Sequence, residues 1–390
     1  MFSNNILSFQ FLMLCSLFLH FRVSISFDPH LPDISILRNC NIDKIYQFGD
    51  SLSDTGNHIL ENPFDQCSKP PYGSSFFENP TGRCSDGLLM IDYIASAAGI
   101  PFLSPYLDAS ANFSHGANFA VVGSTALSVQ AMAKKNILAS TTNCSLEIQL
   151  EWLSKHLFSL CKSDLDCRQE KLKNALFMVG ETGGNDFNFA LLQGKTIEET
   201  KSMVPEVVEV IMEAVRRVIN LGAVQVVVPG NFPIGCIPLF LTAFQTTNAT
   251  AYDKHQCLKD LNDFAIFQNQ YLQQAISILK KENPNTIILY ADYYNAFLWL
   301  LENCSYLGFD VASALKACCG GGGKYNYSLS RVCGSINNAL CSHPDQYISW
   351  DGMHMTQKAY VFLAKWLVAD LLPQLNCNAD ISYHSDTFDI

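Results

Sequence analysis

Two short stretches near opposite ends of this chain hold the side chains from which ester or amide chemistry is built. The first is Gly49-Asp50-Ser51-Leu52-Ser53-Asp54-Thr55-Gly56-Asn57, and the second is Trp350-Asp351-Gly352-Met353-His354. A serine hydroxyl is a poor nucleophile until a neighbouring base takes its proton, and an imidazole is the side chain suited to that task near neutral pH. A carboxylate three residues before a histidine reaches back to Nδ1, fixes the tautomer and stabilises the imidazolium, leaving Nε2 for the serine. Ser51, His354 and Asp351 are therefore candidates for nucleophile, base and orienting acid. Taken singly each has a plainer role. Gly, Asp and Ser are ordinary turn formers, and Asp351 stands where it would equally cap the helical pattern that follows.

These residues need elements to bring them together. Residues 44–48, 175–179, 224–228 and 286–290 are apolar, β-rich runs, and 224–228 is almost unbroken valine, as expected of a parallel strand covered on both faces. Helical patterns lie between them. Over 202–221 the residues Val204, Val207, Val208, Ile211, Val215 and Val218 make one apolar stripe, with Pro205 in the first turn and Gly222 as the stop. Further patterns run over 260–281, ending at Asn283-Pro284, and over 356–371. Alternating strands and helices predict a doubly wound α/β sheet. Ser51 then falls just past the carboxyl end of the first strand, the edge at which such sheets bind ligands and where helix N-termini favour a developing anion. No repeat, proline-rich linker or shift of composition divides the chain, so one domain over 27–390 is expected.

Two more blocks complete a pattern. Gly123 follows the run Gly116-Ala117-Asn118-Phe119-Ala120-Val121-Val122, and Gly183-Gly184-Asn185-Asp186 follows the strand at 175–179. Ser51, Gly123, Asn185 and His354, in this order and context, resemble the four blocks of the SGNH hydrolases. The resemblance runs from about residue 45 to 377 and is specific to the plant GDSL esterase/lipase branch. Phe48-Gly49-Asp50-Ser51 is similar to its first block, Asn79-Pro80-Thr81-Gly82-Arg83-Cys84-Ser85-Asp86-Gly87 to its signature, and Gly230-Asn231-Phe232-Pro233-Ile234-Gly235-Cys236 and Tyr290-Ala291-Asp292-Tyr293-Tyr294-Asn295 to later blocks. Within the branch the chain looks most like the group of acetylajmalan and sinapine esterases, which cleave small esters of plant specialised metabolites. The resemblance implies a three-layer α/β/α sandwich around a parallel five-stranded sheet, and an oxyanion hole made by the Ser51 N–H, the Gly123 N–H and the Asn185 amide. Two departures stand out. Glu181-Thr182-Gly183 occupies a place where relatives often carry Glu-Ile-Gly, and Met353 and Met355 flank His354, where they are expected to widen the acyl pocket. Phe187, Phe189, Phe64, Tyr72, Phe76 and Phe77 are candidates either for an aromatic pocket wall or for core.

The compartment is written in other features. An apolar run over 6–21, followed by Ser24 and Ser26, reads as a secretory leader spanning 1–26 and cut before Phe27; it is too short and too polar for a membrane span. Removing it takes Cys15 and leaves an even number of the 15 cysteines, as suits disulfide pairing in an oxidising compartment. Cys161 with Cys167 and Cys333 with Cys341 are plausible short loops, and the adjacent Cys318 and Cys319 must take different partners. Five N-x-S/T sequons, at Asn112, Asn143, Asn248, Asn303 and Asn326, fit a secreted protein, placed in the apoplast or the vacuole. With 36 acidic against 25 basic residues and a net charge of −11, the chain suits neither nucleic acid nor an anionic membrane surface. There is no C-x-x-C or H-E-x-x-H for a metal, no cofactor is implied, and oligomeric state leaves no signal in the sequence. The absence of G-x-S-x-G excludes an α/β-hydrolase nucleophile elbow, and Gly320–Gly323 with Lys324 lacks the flanking residues of a phosphate loop, leaving a flexible loop tethered by cysteines. The expected activity is hydrolysis of a small carboxylic ester through an acyl-enzyme on Ser51. An acyltransferase using the same intermediate and a lipase on longer chains are the alternatives. A secreted binding protein comes last, because none of the five site residues is replaced.

Overall fold

The computed structural model describes residues 34–336, 338–375 and 377, so the expected leader over 1–26 lies outside the described residues. Five strands form one parallel sheet: β1 (Lys44–Phe48), β2 (Gly116–Asn118), β3 (Ala175–Val179), β4 (Gln225–Pro229) and β5 (Ile287–Ala291), in the order β2-β1-β3-β4-β5. Every pairing is parallel, with Ile45 opposite Leu176 and Val226 opposite Ile288. β3 and β4 are buried along their whole length, which accounts for a sequence that is apolar in both but for Gln225. Two strands begin one residue later than the sequence suggests, at Gln225 and Ile287. β2, three residues of Gly, Ala and Asn, carries no strand signal of its own.

Helices cover both faces. Phe177 and Tyr46 point to one side, with ring centroids 5.0 Å apart, and His156 of the helix Leu146–Cys161 closes on Tyr46 edge-on at 5.8 Å. The helix Val204–Asn220 lies on this side, packed against Leu146–Cys161, β3 and the long helix Lys259–Glu282. On the other face Leu176, Met178 and Val227 look toward Ile94 of the helix Met90–Ala98 and Leu367 and Leu371 of the helix Gln357–Leu371. This is the three-layer α/β/α sandwich. The strand order places a switch point between β1 and β3, whose connections leave in opposite directions, and such points open a crevice at the carboxyl edge of the sheet.

A second, smaller core lies beside the sheet. Tyr72, Val122 and Trp350 pack with Cys67, Cys84, Cys318, Cys319 and Cys333. Three of the six disulfides found among the described residues meet here: Cys67–Cys84, Cys318–Cys341 and Cys319–Cys333. The other three are Cys40–Cys377, Cys161–Cys167 and Cys236–Cys257. Cys161–Cys167 and the separate partners of Cys318 and Cys319 follow the expectation from sequence. The Cys333–Cys341 loop does not form. The chain instead pairs β6 (Cys319–Gly320) antiparallel with β7 (Ala339–Leu340), which sets Cys318 beside Cys341 and leaves Cys333 to Cys319. The start of the glycine run is thus strand rather than loop. Cys144 and Cys304 are buried and unpaired, so full pairing of the cysteines is also corrected.

Candidate active site

Three loops converge at the carboxyl edge of the sheet. The first leaves β1 at Gly49, whose φ of +148° and backbone approach to β3 exclude a side chain: a Cβ there would stand 2.4 Å from the Gly180 carbonyl oxygen. Asp54 then anchors the turn, its carboxylate accepting from the N–H groups of Gly56, Asn57 and His58 and from Val122 of the neighbouring loop. Ser51, held at the crown of this turn, is 6% exposed.

The second loop extends β2. Phe119 N–H donates to Gln47 O and Val121 N–H to Gly49 O, so residues 119–122 continue beside the end of β1 and deliver Gly123 next to the Ser51 turn. Gln149 clamps the two loops. Its Oε1 accepts from Gly49 N–H at 2.9 Å, and its Nε2 donates to Gly49 O at 2.8 Å and Ser124 Oγ at 2.9 Å. The third loop follows β3 through Glu181, which takes a left-handed φ of +51° and is pinned by the Tyr293 hydroxyl at 2.5 Å and the Gln47 amide at 2.8 Å. The helix Gly184–Leu192 begins there and carries Asn185. Its Nδ2 donates to Ser124 O at 3.0 Å and to Asp50 Oδ2 at 3.2 Å, the residues adjoining Gly123 and Ser51. Among the described residues neither the Ser51 N–H nor the Gly123 N–H has a partner within the chain. Two free donors and one side-chain amide are therefore gathered around the serine.

The histidine arrives from the small core. Cys318 and Cys319 N–H groups donate to the Ser349 and Trp350 carbonyls, and Trp350 N–H closes a tight loop on His354 O at 2.8 Å. Gly352, with φ +95°, sits against Tyr327, where a Cβ would come within 2.2 Å of the ring. Thr356, not Asp351, caps the following helix, accepting from Ala359 N–H. Asp351 is thereby free to hold the histidine. Its Oδ1 accepts from the Met353 and His354 N–H groups at 2.9 and 2.8 Å, and its Oδ2 lies 2.6 Å from His354 Nδ1. His354 Nε2 is 2.8 Å from Ser51 Oγ. The signature block 79–87 props this loop from below, Ser85 Oγ donating to Met355 O and Asp86 accepting from Gln357 N–H.

Burial opposes charge on His354, but the Asp351 carboxylate outweighs it and raises the imidazole above its usual range. Burial likewise opposes charge on Asp351, and the imidazole and the N–H bonds reverse it, holding the carboxyl below its usual range. Asp50, with less compensation, is pushed up to about 8 by burial, offset in part by the Leu52 N–H and reinforced by nearby Glu181.

All five predicted site residues come together. Tyr72 is different from expectation: it is no pocket wall but a buried donor, its hydroxyl 2.9 Å from Asp351 Oδ2 and its ring edge-on to Trp350. Phe187 is core, packed edge-on to Phe264, Phe189 packs against the same core, Phe64 is exposed, and Phe77 carries Arg83 over its ring. Phe76 is half-exposed. Met355 is buried in the main core and Met353 packs on it, so neither widens a pocket. A cleft does open on the flank of the Ser51 turn, between Asp50, Leu52, Thr182, Asn188, Asn231 and Tyr293. Gln149 does carry a signal, as a polar residue inside the buried stripe Leu146, Leu150, Leu153 and Leu157. Tyr72 carries none. As for metals, the one triad of donor atoms among the described residues, Asp65 with Cys67 and Cys84, includes two sulfurs already joined as a disulfide.

A parallel α/β/α sandwich with a serine, a histidine and an aspartate hydrogen-bonded in series is the architecture of a serine ester hydrolase. Residues 45–367 match the GDSL-like lipase/acylhydrolase family, and the chain belongs to it. It is 44% identical over 348 residues to acetylajmalan esterase 1 of Rauvolfia serpentina, covering 88% of this chain and 90% of that one. Acetylajmalan esterase 2 of the same plant is 43% identical over 87% of this chain and 93% of its own. A GDSL esterase/lipase of Arabidopsis thaliana is 44% identical over 84% and 82%. The protein is a hydrolase acting on ester bonds.

Proposed function

We propose that the chain hydrolyses carboxylic esters of small specialised metabolites, with acetyl or hydroxycinnamoyl groups on alcohols that include alkaloids, through an acyl-enzyme on Ser51. The observation that carries this is the linear series Ser51 Oγ, His354 Nε2, His354 Nδ1 and Asp351 Oδ2, at 2.8 and 2.6 Å. As Ser51 Oγ attacks the ester carbonyl carbon, its proton passes to His354 Nε2 and the carbonyl electron pair moves onto oxygen. Asp351 stabilises the imidazolium. The Ser51 and Gly123 N–H groups and the Asn185 amide receive the oxyanion. Collapse expels the alcohol, which takes the proton from His354. Water then attacks the acyl-enzyme, gives a proton to His354, and releases the acid with Ser51 regenerated.

The similar acetylajmalan esterases support a small acyl group and an alkaloid alcohol. Transfer of the acyl group to a second alcohol uses the same intermediate and differs only in what reaches it. The expected leader, the sequons and the six disulfides together support one hydrolase domain, 27–390, secreted to the apoplast or vacuole. A serine-directed organophosphate should label Ser51 alone and stop turnover of a panel of chromogenic esters graded by acyl length, with mass spectrometry of the products. Label on another serine, or turnover that survives Ser51→Ala, would show the nucleophile to be elsewhere.

A further inference from the structure

The cleft beside Ser51 holds polar atoms that the fold itself does not use. Thr182 is 8% exposed, and its Oγ1 is buried without a hydrogen-bond partner among the described residues; Asn188 Oδ1 is buried and unpartnered as well. Both residues line the cleft, Thr182 on the turn after β3 and Asn188 one helical turn beyond Asn185. The cleft is also lined by Asp50 and Leu52, the two neighbours of Ser51. Asp50 Oδ1 accepts from Leu52 N–H and its Oδ2 from Asn185, so the carboxyl stays fixed at the rim.

A buried polar atom left unpaired costs the folded protein roughly 1–3 kcal/mol. Two such atoms on residues lining one cleft beside the Ser51 turn are what a site built to bond a substrate group looks like before the substrate arrives. Both are able to accept: one is an amide carbonyl oxygen and the other a hydroxyl free to rotate. An apolar substituent placed there would leave both atoms unsatisfied, and a substituent with an O–H or N–H would not.

Building on the reading of Ser51 as nucleophile, we propose that this cleft is a specificity subsite for a hydrogen-bond donor on the ester, a hydroxyl or amine N–H, bound by Thr182 Oγ1 and Asn188 Oδ1. The donor is carried either by the acyl group or by the alcohol, and the test separates the two.

The test uses matched ester pairs. For the acyl side these are para-nitrophenyl butyrate and para-nitrophenyl beta-hydroxybutyrate; for the alcohol side, phenethyl acetate and tyrosol acetate. The quantity read is the ratio of kcat/KM within each pair, and comparing it between wild type and variant cancels intrinsic reactivity. In the pair that reaches the cleft, Thr182→Val should lower the ratio about three- to tenfold, the worth of one neutral hydrogen bond. Asn188→Ala should lower it similarly, and Thr182→Ser, which keeps the hydroxyl, should restore it. Because the hydroxyl has no partner in the free protein, Thr182→Val should not reduce the thermal midpoint. A ratio unmoved by either variant in both pairs overturns the subsite, as does a midpoint that falls with Thr182→Val, since the hydroxyl would then serve the fold. A wild type that hydrolyses the plain esters but ignores the added hydroxyl in both pairs overturns the subsite and leaves the esterase reading standing. A wild type inert toward all four esters overturns both.

Discussion

Removing one oxygen, from Tyr72, should displace the pH profile of the enzyme. The Tyr72 hydroxyl donates to Asp351 Oδ2 at 2.9 Å, on the same oxygen that faces His354 Nδ1 at 2.6 Å. All three side chains are buried. A hydrogen bond to a charged acceptor contributes about 1.5–3 kcal/mol, and the Asp351 oxygen loses one of its two partners in Tyr72→Phe. A carboxylate deprived of that donor leans harder on the imidazolium. If about half of the lost energy returns through the His354 contact, at about 1.36 kcal/mol per unit, the His354 pKa rises by roughly half a unit to one unit. His354 is already raised above its usual value, so the acid limb of kcat/KM, which tracks the free enzyme, should start high and move higher. The pair also sets stability. The raised histidine stabilises the fold fully below its unfolded value and loses that contribution as pH rises through its folded one. The lowered Asp351 contributes above its unfolded value and loses it as pH falls through its folded one. Profiles of kcat/KM against pH and thermal midpoints for wild type and Tyr72→Phe are the assay. An acid limb that shifts downward, or a variant identical to wild type in both measurements, would refute the reasoning that Tyr72 acts through Asp351.

Asn185→Ala should lower kcat by about 10² to 10³ and alter KM less, because an oxyanion donor is stronger in the transition state than with bound ester. The amide must leave its longer bond, 3.2 Å to Asp50, to meet the oxyanion, and a kcat near wild type would remove it from that role. The mature protein should be inert to a thiol reagent when native and titrate two thiols, Cys144 and Cys304, when unfolded without reductant; more than two would contradict the six pairings.

How much of this was legible in the sequence depends on how local each signal is. β3 and β4 could be read because strands buried on both faces are apolar at nearly every position, Gln225 being the exception. β2 could not, because its pairing rests on backbone N–H and C=O groups that Gly116, Ala117 and Asn118 supply without any β-favouring side chain. Asp351 and His354 were legible because an acid three residues before a histidine already fixes their bond, and Ser51, 303 residues from that histidine, because of its own block Phe48-Gly49-Asp50-Ser51 at the end of a strand. Tyr72 meets Asp351 across 279 residues and Gln149 meets Gly49 across 100, and no spacing rule reaches that far. Disulfide connectivity failed at Cys333 for a related reason. Closeness in sequence favoured Cys341, while the β6–β7 pairing, invisible in a stretch of glycines, gave Cys341 to Cys318.

The two arms of the site are stabilised by different means, and this bears on where the enzyme is able to work. Ser51 and Gly123 stand on turns that leave β1 and β2, and Asn185 in the first turn of the helix that follows β3, so burial of the sheet positions them directly. His354 stands on an irregular loop with no strand or helix of its own, and its backbone is held by Cys318 and Cys319 N–H groups bonded to Ser349 and Trp350. Its fully buried Trp350 packs against the cystines themselves, so the ordering of the loop rests on those bridges. The Cys318–Cys341 and Cys319–Cys333 bridges, closing loops of 23 and 14 residues, lower the entropic cost of that ordering by restricting the unfolded chain. Reduction should therefore disconnect His354 from Ser51 before the sheet melts, making the arrangement suited to an oxidising compartment and self-limiting in a reducing one.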